Sequence, residues 1–344
     1  LVQNGSDKIG GSTVNATLQT EGIAVTLVFI DSTQGWLVTD SGLQTEAPTA
    51  QYVTATGGTV TCSGDYRIHT FTGPGAFCVS CAGNASGSST VDYLVVAGGA
   101  GGGAGSDNSG GGGGAGGYRE SPGTASGSYT VSPLGTSPAV ALSVPVTSYP
   151  IAVGGGGAGG PMSPSKQKGT NGSLSSFSTI TSAGGGGGGF GNGPSPDAGL
   201  YGLDGGSGGG SGGRIGTPYQ AASKGQGNTP PVSPSQGNPG GAAKTCTSNS
   251  NDSGGGGGGA TATGSNASNP EGPSGNGGAG ATTSISATPT AYAGGGGGNQ
   301  GPGAPSAGGT GGGGAGGSNG TANTGGGGGG NGGSGVVIIR YKFQ

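Results

Sequence analysis

Glycine comes in blocks in this chain, and the blocks have similar lengths. Gly-rich runs fall at 98–105, 110–117, 154–160, 184–189, 205–213, 254–259, 277–280, 294–298, 308–317 and 325–333. Glycine has no side chain to bury and loses the most backbone freedom on folding, so such runs normally read as flexible linkers. Of 344 residues, 97 are Gly and 21 are Pro, a bias that marks low complexity or disorder when no strict repeat accompanies it. Hydrophobic residues make up 28%, too few for a conventional core along the whole length. Helix formers are scarce and glycine interrupts nearly every window, which predicts almost no α-helix.

Three ordinary states fit the blocks poorly. Collagen needs glycine at every third position, a period the blocks do not keep. Glycine runs make weak β-strands. A disordered Gly/Ser linker is the strongest alternative, since fixing each residue costs about 1–2 kcal/mol, yet a linker has no reason to hold its run length constant. A left-handed extended helix of polyproline-II type does, because it forms no internal hydrogen bonds and turns its N–H and C=O groups outward in three directions. Only glycine lets neighbouring helices approach closely enough to pair those groups. A net gain of about 1 kcal/mol per hydrogen bond offsets the ordering cost only in a closed bundle. Six glycines then span about 19 Å, and similar runs build a slab of constant thickness.

The flanks read as β structure. Residues 1–50 hold the β-branched run "IAVTLVFI" and, after the turn "STQG", the strand "WLVT". So small a segment buries little alone, so it is expected to lean on neighbouring copies or on more chain. Trp36, the single tryptophan, is read as packing there rather than as a ligand platform. Residues 51–97 continue with "GTVTCSG", "YRIHTFT", "AFCVSC" and "TVDYLVVAG". The alternation places Tyr66, Ile68 and Thr70 on one face of their strand and Arg67, His69 and Phe71 on the other. "DYLVVAGG" is expected to pair with the last strand, "GVVIIRYKF", closing a glycine-rich domain over 98–344 with a terminal strand at 335–343. Connectors 146–153, 174–183 and 282–293 carry strand signals of their own, and Tyr149, Ile151, Phe177, Ile180 and Tyr292 are expected to cap the bundle or join the sheet. The fold class is therefore mostly β with a bundle of polyglycine helices and almost no α-helix.

Chemistry is sparse. Ten basic and 13 acidic residues leave a net charge of −3, and the basic ones are scattered, against nucleic-acid binding. No stretch has the length of a membrane-spanning helix. The chain opens on Leu1 and its only methionine is Met162, so more chain is expected upstream. "CVSC" at 78–81 lacks the further ligands of a zinc site, and His69 is the sole histidine. Cys62, Cys78 and Cys81 are candidates for a Cys62–Cys78 or Cys62–Cys81 bridge, or for free thiols, with Cys246 distant. Asp65, Asp92, Asp197, Asp204 and Glu271 form no catalytic motif, and GxGxxG-like strings are inevitable here with no helix behind them. Neither an enzyme nor a cofactor is expected.

"TVDYLVVAGGAGGGAG", "GGGGAGGYRE", "SYPIAVGGGGAGG", "SSFSTITSAGGGGGG" and "GGSGVVIIRYKF" resemble the glycine-rich domain common in phage tail proteins, and "GIAVTLVFIDSTQGWLVT" resembles a short β module of virion proteins. The resemblance implies a virion tail fibre, extracellular, binding a host-surface glycan or outer-membrane protein through loops on a polyglycine scaffold. It implies other tail proteins as partners and a homo-oligomer, as a trimer in many fibres. "CVSC" departs from that module. If ten runs alternate in direction, the far-end connectors are 106–109, 161–183, 214–253, 281–293 and 318–324. The longest offers Arg214, Tyr219, Gln220, Lys224 and Gln226 as receptor contacts. A structural virion or filament subunit is the competing reading.

Overall fold

The computed structural model describes residues 1–20, 22–43, 50–85, 87–105, 109–127, 129–162, 166–191, 199–213, 223–244, 252–268, 272–299 and 306–344. They hold strands, turns and extended segments, and no helix. The chain divides into one unit of Leu1–Gln51 with Ala85–Gly87, and a second of Tyr52–Asn84 with Ser88–Gln344.

The first unit is a hairpin of β1 (Ile23–Asp31) and β2 (Gly35–Leu43), paired antiparallel with irregularities at Thr26/Leu27 and Phe29/Asp31. An arm before it bonds to the start of β2, with Trp36 N–H donating to Lys8 O at 2.8 Å and Gly10 N–H to Trp36 O at 2.9 Å. None of its described hydrophobic side chains is buried.

The second unit opens with β3 (Val53–Thr56), β4 (Thr59–Ser63), β5 (Tyr66–Phe71), β6 (Gly75–Ala82) and β7 (Thr90–Val96). There follow β8 (Tyr118–Glu120), β9 (Leu142–Ser143), β10 (Ser148–Ala152), β11 (Ser175–Phe177), β12 (Ile180–Ser182), β13 (Ala281–Thr283), β14 (Thr290–Tyr292) and β15 (Val336–Lys342). One sheet runs β4-β5-β15-β7-β8, with β9 also on β7, and a second runs β12-β11-β10-β6-β3. The expected pairing of the last strand is there: β15 lies antiparallel between β7 and β5, from Val336↔Val96 to Arg340↔Asp92 and from Val337↔Phe71 to Lys342↔Tyr66.

Both faces of this central sheet are buried, which is why β15 reads Val-Val-Ile-Ile without polar alternation. Val337, Ile339 and Tyr341 pack with Phe71, Val91, Tyr93 and Val95 against Phe77, Val79, Ile151 and Phe177 of the second sheet. Val336 and Ile338 pack with Ile68, Leu94 and Val96 against Tyr118, Ile285 and Tyr292. His69 is core, on the face with Phe71 as the alternation requires. Its Nδ1 donates to Gly57 O at 2.7 Å, its Nε2 accepts from the Tyr341 hydroxyl at 3.0 Å, and its ring stacks on Tyr341. Burial holds its pKa below the ordinary value. The two cysteine bridges considered above do not form. Cys62 lies on β4 of the central sheet and Cys78 and Cys81 on β6 of the other, and all three thiols are free. Cys246 lies outside the described residues.

From β7 the chain passes into the glycine region, where the backbone bonds sideways with a period of three. Gly98, Gly101 and Ala104 N–H donate to Ser173, Thr170 and Gln167 O, while Gly185, Gly188 and Gly191 N–H donate to Gly98, Gly101 and Ala104 O. Three residues per turn is the polyproline-II repeat. Segment 110–117 is the centre of the array: it donates to 183–189, 255–258 and 325–328, and accepts from 97–103, 207–210 and 296–299. Six bonded neighbours around one helix make a hexagonal lattice. A Cβ on Gly113 would stand 2.2 Å from Ala100 O, and one on Gly257 would stand 2.0 Å from Gly113 O. The absence of side chains is therefore what allows the spacing.

The lattice has more members than the glycine blocks. Segments 167–173, 199–204, 223–228, 236–243 and 262–267 also bond laterally as extended helices. Several keep glycine at every third position, as at Gly169/Gly172, Gly199/Gly202 and Gly237/Gly240, and turn that edge inward. A Cβ on Gly169 would lie 1.9 Å from Gly101 O, whereas Gln167 and Thr170 are exposed. Direction reverses at each successive segment, as the registers show.

Two glycines test this packing. Gly113→Ala is expected to destabilise the protein by about 3 kcal/mol or more. Gly155→Ala, where a Cβ meets nothing within 4 Å, is expected to change stability by no more than about 0.5 kcal/mol. Denaturant unfolding of both variants checks the contrast, and equal losses would count against the lattice.

Candidate functional site

Strict alternation gives the lattice two unlike ends. At one, segments join strands: Ala97 follows β7, Gly117 precedes β8, Ala183 follows β12, Gly280 precedes β13 and Gly335 precedes β15. Their lateral bonds tie them together, as in Ala97 N–H to Gly117 O and Gly117 N–H to Ala183 O. At the other end, the described chain leaves the lattice at Gly105, Met162, Gly191, Gly213, Lys244, Ser268 and Asn299. Those exits are also laterally tied: Gly191 N–H to Ala104 O, Gly213 N–H to Ser109 O, Lys244 N–H to Ser253 O and Asn299 N–H to Gly110 O.

The loop end is closed by short polar side chains. A lattice helix exposes unpaired backbone groups where it stops, and buried ones need partners. Ser274 Oγ donates to Asn299 O at 2.6 Å and accepts from Gly254 N–H at 3.2 Å. Ser253 Oγ donates to Gly272 O at 2.7 Å, Asn299 Nδ2 to Gly103 O at 3.2 Å, and Ser306 Oγ to Gly298 O. The Lys244 ammonium donates to Ser268 O at 3.1 Å. Ser109, Asp252, Ser253, Ser274 and Ser306 are buried.

This geometry corrects the connector set expected from ten runs. Residues 174–183 and 281–293 carry β11–β12 and β13–β14 and belong to the sheet end. The parity failed because helices with glycine at every third position were not counted. The stretch 214–253 is likewise not one loop. It contains a descending helix 223–228, a turn at the sheet end and an ascending helix 236–243. Lys224 is half-buried and Gln226 exposed on the lattice flank beside buried Gly225, with Gln226 N–H bonded to Asp204 Oδ1 at 2.6 Å. They are not at the loop end. Arg214, Tyr219 and Gln220, between Gly213 and Ser223, lie outside the described residues. So do Asp197 and Glu271, elsewhere in the chain.

Sequence reasoning missed Gln236. Its Oε1 accepts from Ala183 N–H at 2.9 Å, its Nε2 donates to Pro230 O at 2.8 Å, and its carbonyl accepts from Tyr118 N–H at 2.9 Å. A glutamine just before "GNPGG" carried a weak signal of a polar group needed at a lattice edge.

The buried acids serve structure. Asp92 Oδ1 accepts from Ser121 Oγ at 2.8 Å, and its Oδ2 from Ser126 N–H at 2.7 Å and Oγ at 2.6 Å. Glu120 Oε2 accepts from Tyr118 O–H at 2.7 Å and Ser132 N–H at 3.1 Å, and its Oε1 from Thr283 Oγ1. Together they fasten the segment after β8 and the β13–β14 hairpin to the central sheet. Arg340 is buried there too, over the rings of Tyr66 and Tyr129 at 4.7 and 5.3 Å, with Nη1 donating to Ile285 O at 3.3 Å. Among the described residues no His, Cys, Asp and Glu cluster could hold a metal ion.

Fold and site thus define a class: a β-framed glycine lattice with its strands at one end and its surface connectors at the other. A family model described as a glycine-rich domain matches residues 70–342, most of the chain, and the protein belongs to that family. The match begins at the end of β5 and closes in β15, two strands paired side by side. No curated protein matches the sequence.

Burial raises the Glu120 pKa above its ordinary 4.5, although its hydrogen bonds oppose the shift. A carboxyl raised in the folded state contributes stability that is present below the unfolded pKa and lost as pH rises through the folded value. Glu120→Gln keeps both acceptor bonds at Oε2, and its amide can donate to Thr283 Oγ1, whose proton can turn to Thr130 O. The stability difference is therefore expected to move in favour of Glu120→Gln as pH rises from about 4 to about 7. Thermal unfolding at several pH values measures it, and a pH-independent difference would contradict the assignment.

Proposed function

We propose that the protein is a virion tail-fibre or tail-tip component, extracellular, whose loop-end connectors bind a receptor on the host cell surface. The observation that carries this reading is the convergence of seven chain exits, from Gly105 to Asn299, on the lattice end away from the sheets. Loops fixed on an ordered scaffold lose less entropy on binding than free ones, and several copies side by side would multiply weak contacts. The ligand is a surface glycan or an outer-membrane protein. The resemblance to phage tail proteins supports the virion setting, the other tail proteins as partners and a homo-oligomer, with a trimer as the first candidate. In this reading the chain performs no catalysis and needs no cofactor.

Arg214, Tyr219 and Gln220 stay in the proposal as receptor contacts within 214–222. Lys224 and Gln226 leave it, because they sit on the lattice flank. The second reading, a structural virion or filament subunit, draws support from the exposed Val28, Phe29, Ile30 and Val38 on the β1–β2 hairpin, a surface an assembly would cover.

Exchange of 214–222, and separately of 245–250, for short Gly/Ser linkers in the full chain separates the two. Helices 223–228 and 236–243 stay in place. Binding to a panel of intact bacterial cells is expected to fall at least about tenfold in one exchange, with thermal unfolding unchanged. Undiminished attachment in both, or no attachment by the parent chain, would favour the structural subunit.

A further inference from the structure

The first unit holds a cleft that neither the lattice nor the loop end explains. We propose that it binds a neutral hexopyranose ring, with Trp36 as the stacking platform and Gln3 as the hydroxyl acceptor; this site is independent of the proposed function.

The arm builds it. Leu1 and Ala16 bond backbone to backbone at 3.0 Å, Gln3 N–H donates to Asn15 Oδ1 at 3.1 Å, and Asp7 N–H donates to Asn4 O at 3.1 Å. Lys8 to Gly11 then bond along the start of β2. Gly35 allows this approach: its φ is +72° and a Cβ there would stand 2.0 Å from Lys8 O. The arm and hairpin leave a half-open cavity of about 400 Å³, within the range of small-ligand sites.

Its lining is of two kinds. Val2, Ile9, Leu27 and Trp36 are apolar. Trp36 remains 40% exposed, and Phe29 meets it edge-on at 5.5 Å between centroids, steadying the ring. Gln3, Asn4 and Asp7 are polar. Gln3 Nε2 donates to Gly5 O at 3.3 Å, but its Oε1 is buried and accepts nothing. An unmet buried acceptor is costly, and a ligand hydroxyl would meet it.

These facts select the ligand. A wholly apolar molecule would leave the Gln3 acceptor unmet. An anion would face the Asp7 carboxylate, and no lining side chain is cationic. A pyranose offers C–H groups to the indole face and hydroxyls to the amide and carboxylate oxygens at one edge.

The single tryptophan makes the test specific, because all indole emission reports on this cleft. The full chain is titrated with the methyl glycosides of glucose, galactose, mannose and N-acetylglucosamine up to about 100 mM, with glycerol as the control. At least one glycoside is expected to shift the emission saturably with a Kd on the order of 1 mM. Gln3→Met is expected to weaken that binding at least about tenfold while leaving the emission of the free protein unchanged. Trp36→Ala, followed by saturation-transfer NMR, is expected to abolish it. The proposal is overturned if no glycoside gives a saturable shift, if glycerol gives the same one, or if Gln3→Met binds as tightly as the parent. It is also overturned if the emission shifts with protein concentration alone, which would show a second copy filling the cleft.

Discussion

The sideways hydrogen bond between extended glycine segments is the interaction on which the rest of this structure depends. An extended three-fold helix satisfies none of its own backbone groups, so each must be paired by a neighbour. Segment 110–117 shows the consequence in full, with three neighbours receiving its N–H groups and three supplying its carbonyls. The spacing that permits those bonds leaves no room for a Cβ at Gly113. Composition follows from this constraint: the glycines are the core, and the low hydrophobic content is what such a core requires.

The apolar residues that exist are concentrated where the lattice must be anchored. The central sheet uses both faces of β15 and β7, and it joins the beginning of the lattice to its end. Asp92, Glu120 and Arg340 lie buried behind it, and their hydrogen bonds fasten the loop and hairpin that cover the second core cluster. This join turns a set of laterally bonded segments into a closed body with one end framed by strands. The other end is finished by serine and asparagine side chains that take up terminal backbone groups, and it is there that the connectors emerge.

Much of this was legible in the residues. The β-branched "VVIIRY" and "DYLVV" announced a doubly buried pair of strands, and "YRIHTF" alternated as it should. The recurrence of glycine blocks of similar length pointed to a slab. What escaped was the set of returning helices. In "KGTNGS" and "GLYGLD" only every third residue is glycine, because an outer helix approaches the lattice closely along one edge and can carry side chains on the other two. A search for blocks cannot find that pattern, and omitting those helices misplaced the connectors and moved Lys224 and Gln226 onto a loop they do not occupy. Of the two cysteine readings, free thiols hold: Cys62 and Cys78 are close in sequence, but the chain changes sheets between them, beyond β5.

Native-state hydrogen exchange of the full chain tests the central claim most directly. If the lattice is the core, the amides of Gly111 to Gly117 exchange as slowly as those of β7 and β15, through opening of the whole unit. Exchange of those glycines at the rate of an unstructured peptide, beside protected strands, would show a linker hung from a small sheet and would contradict the account.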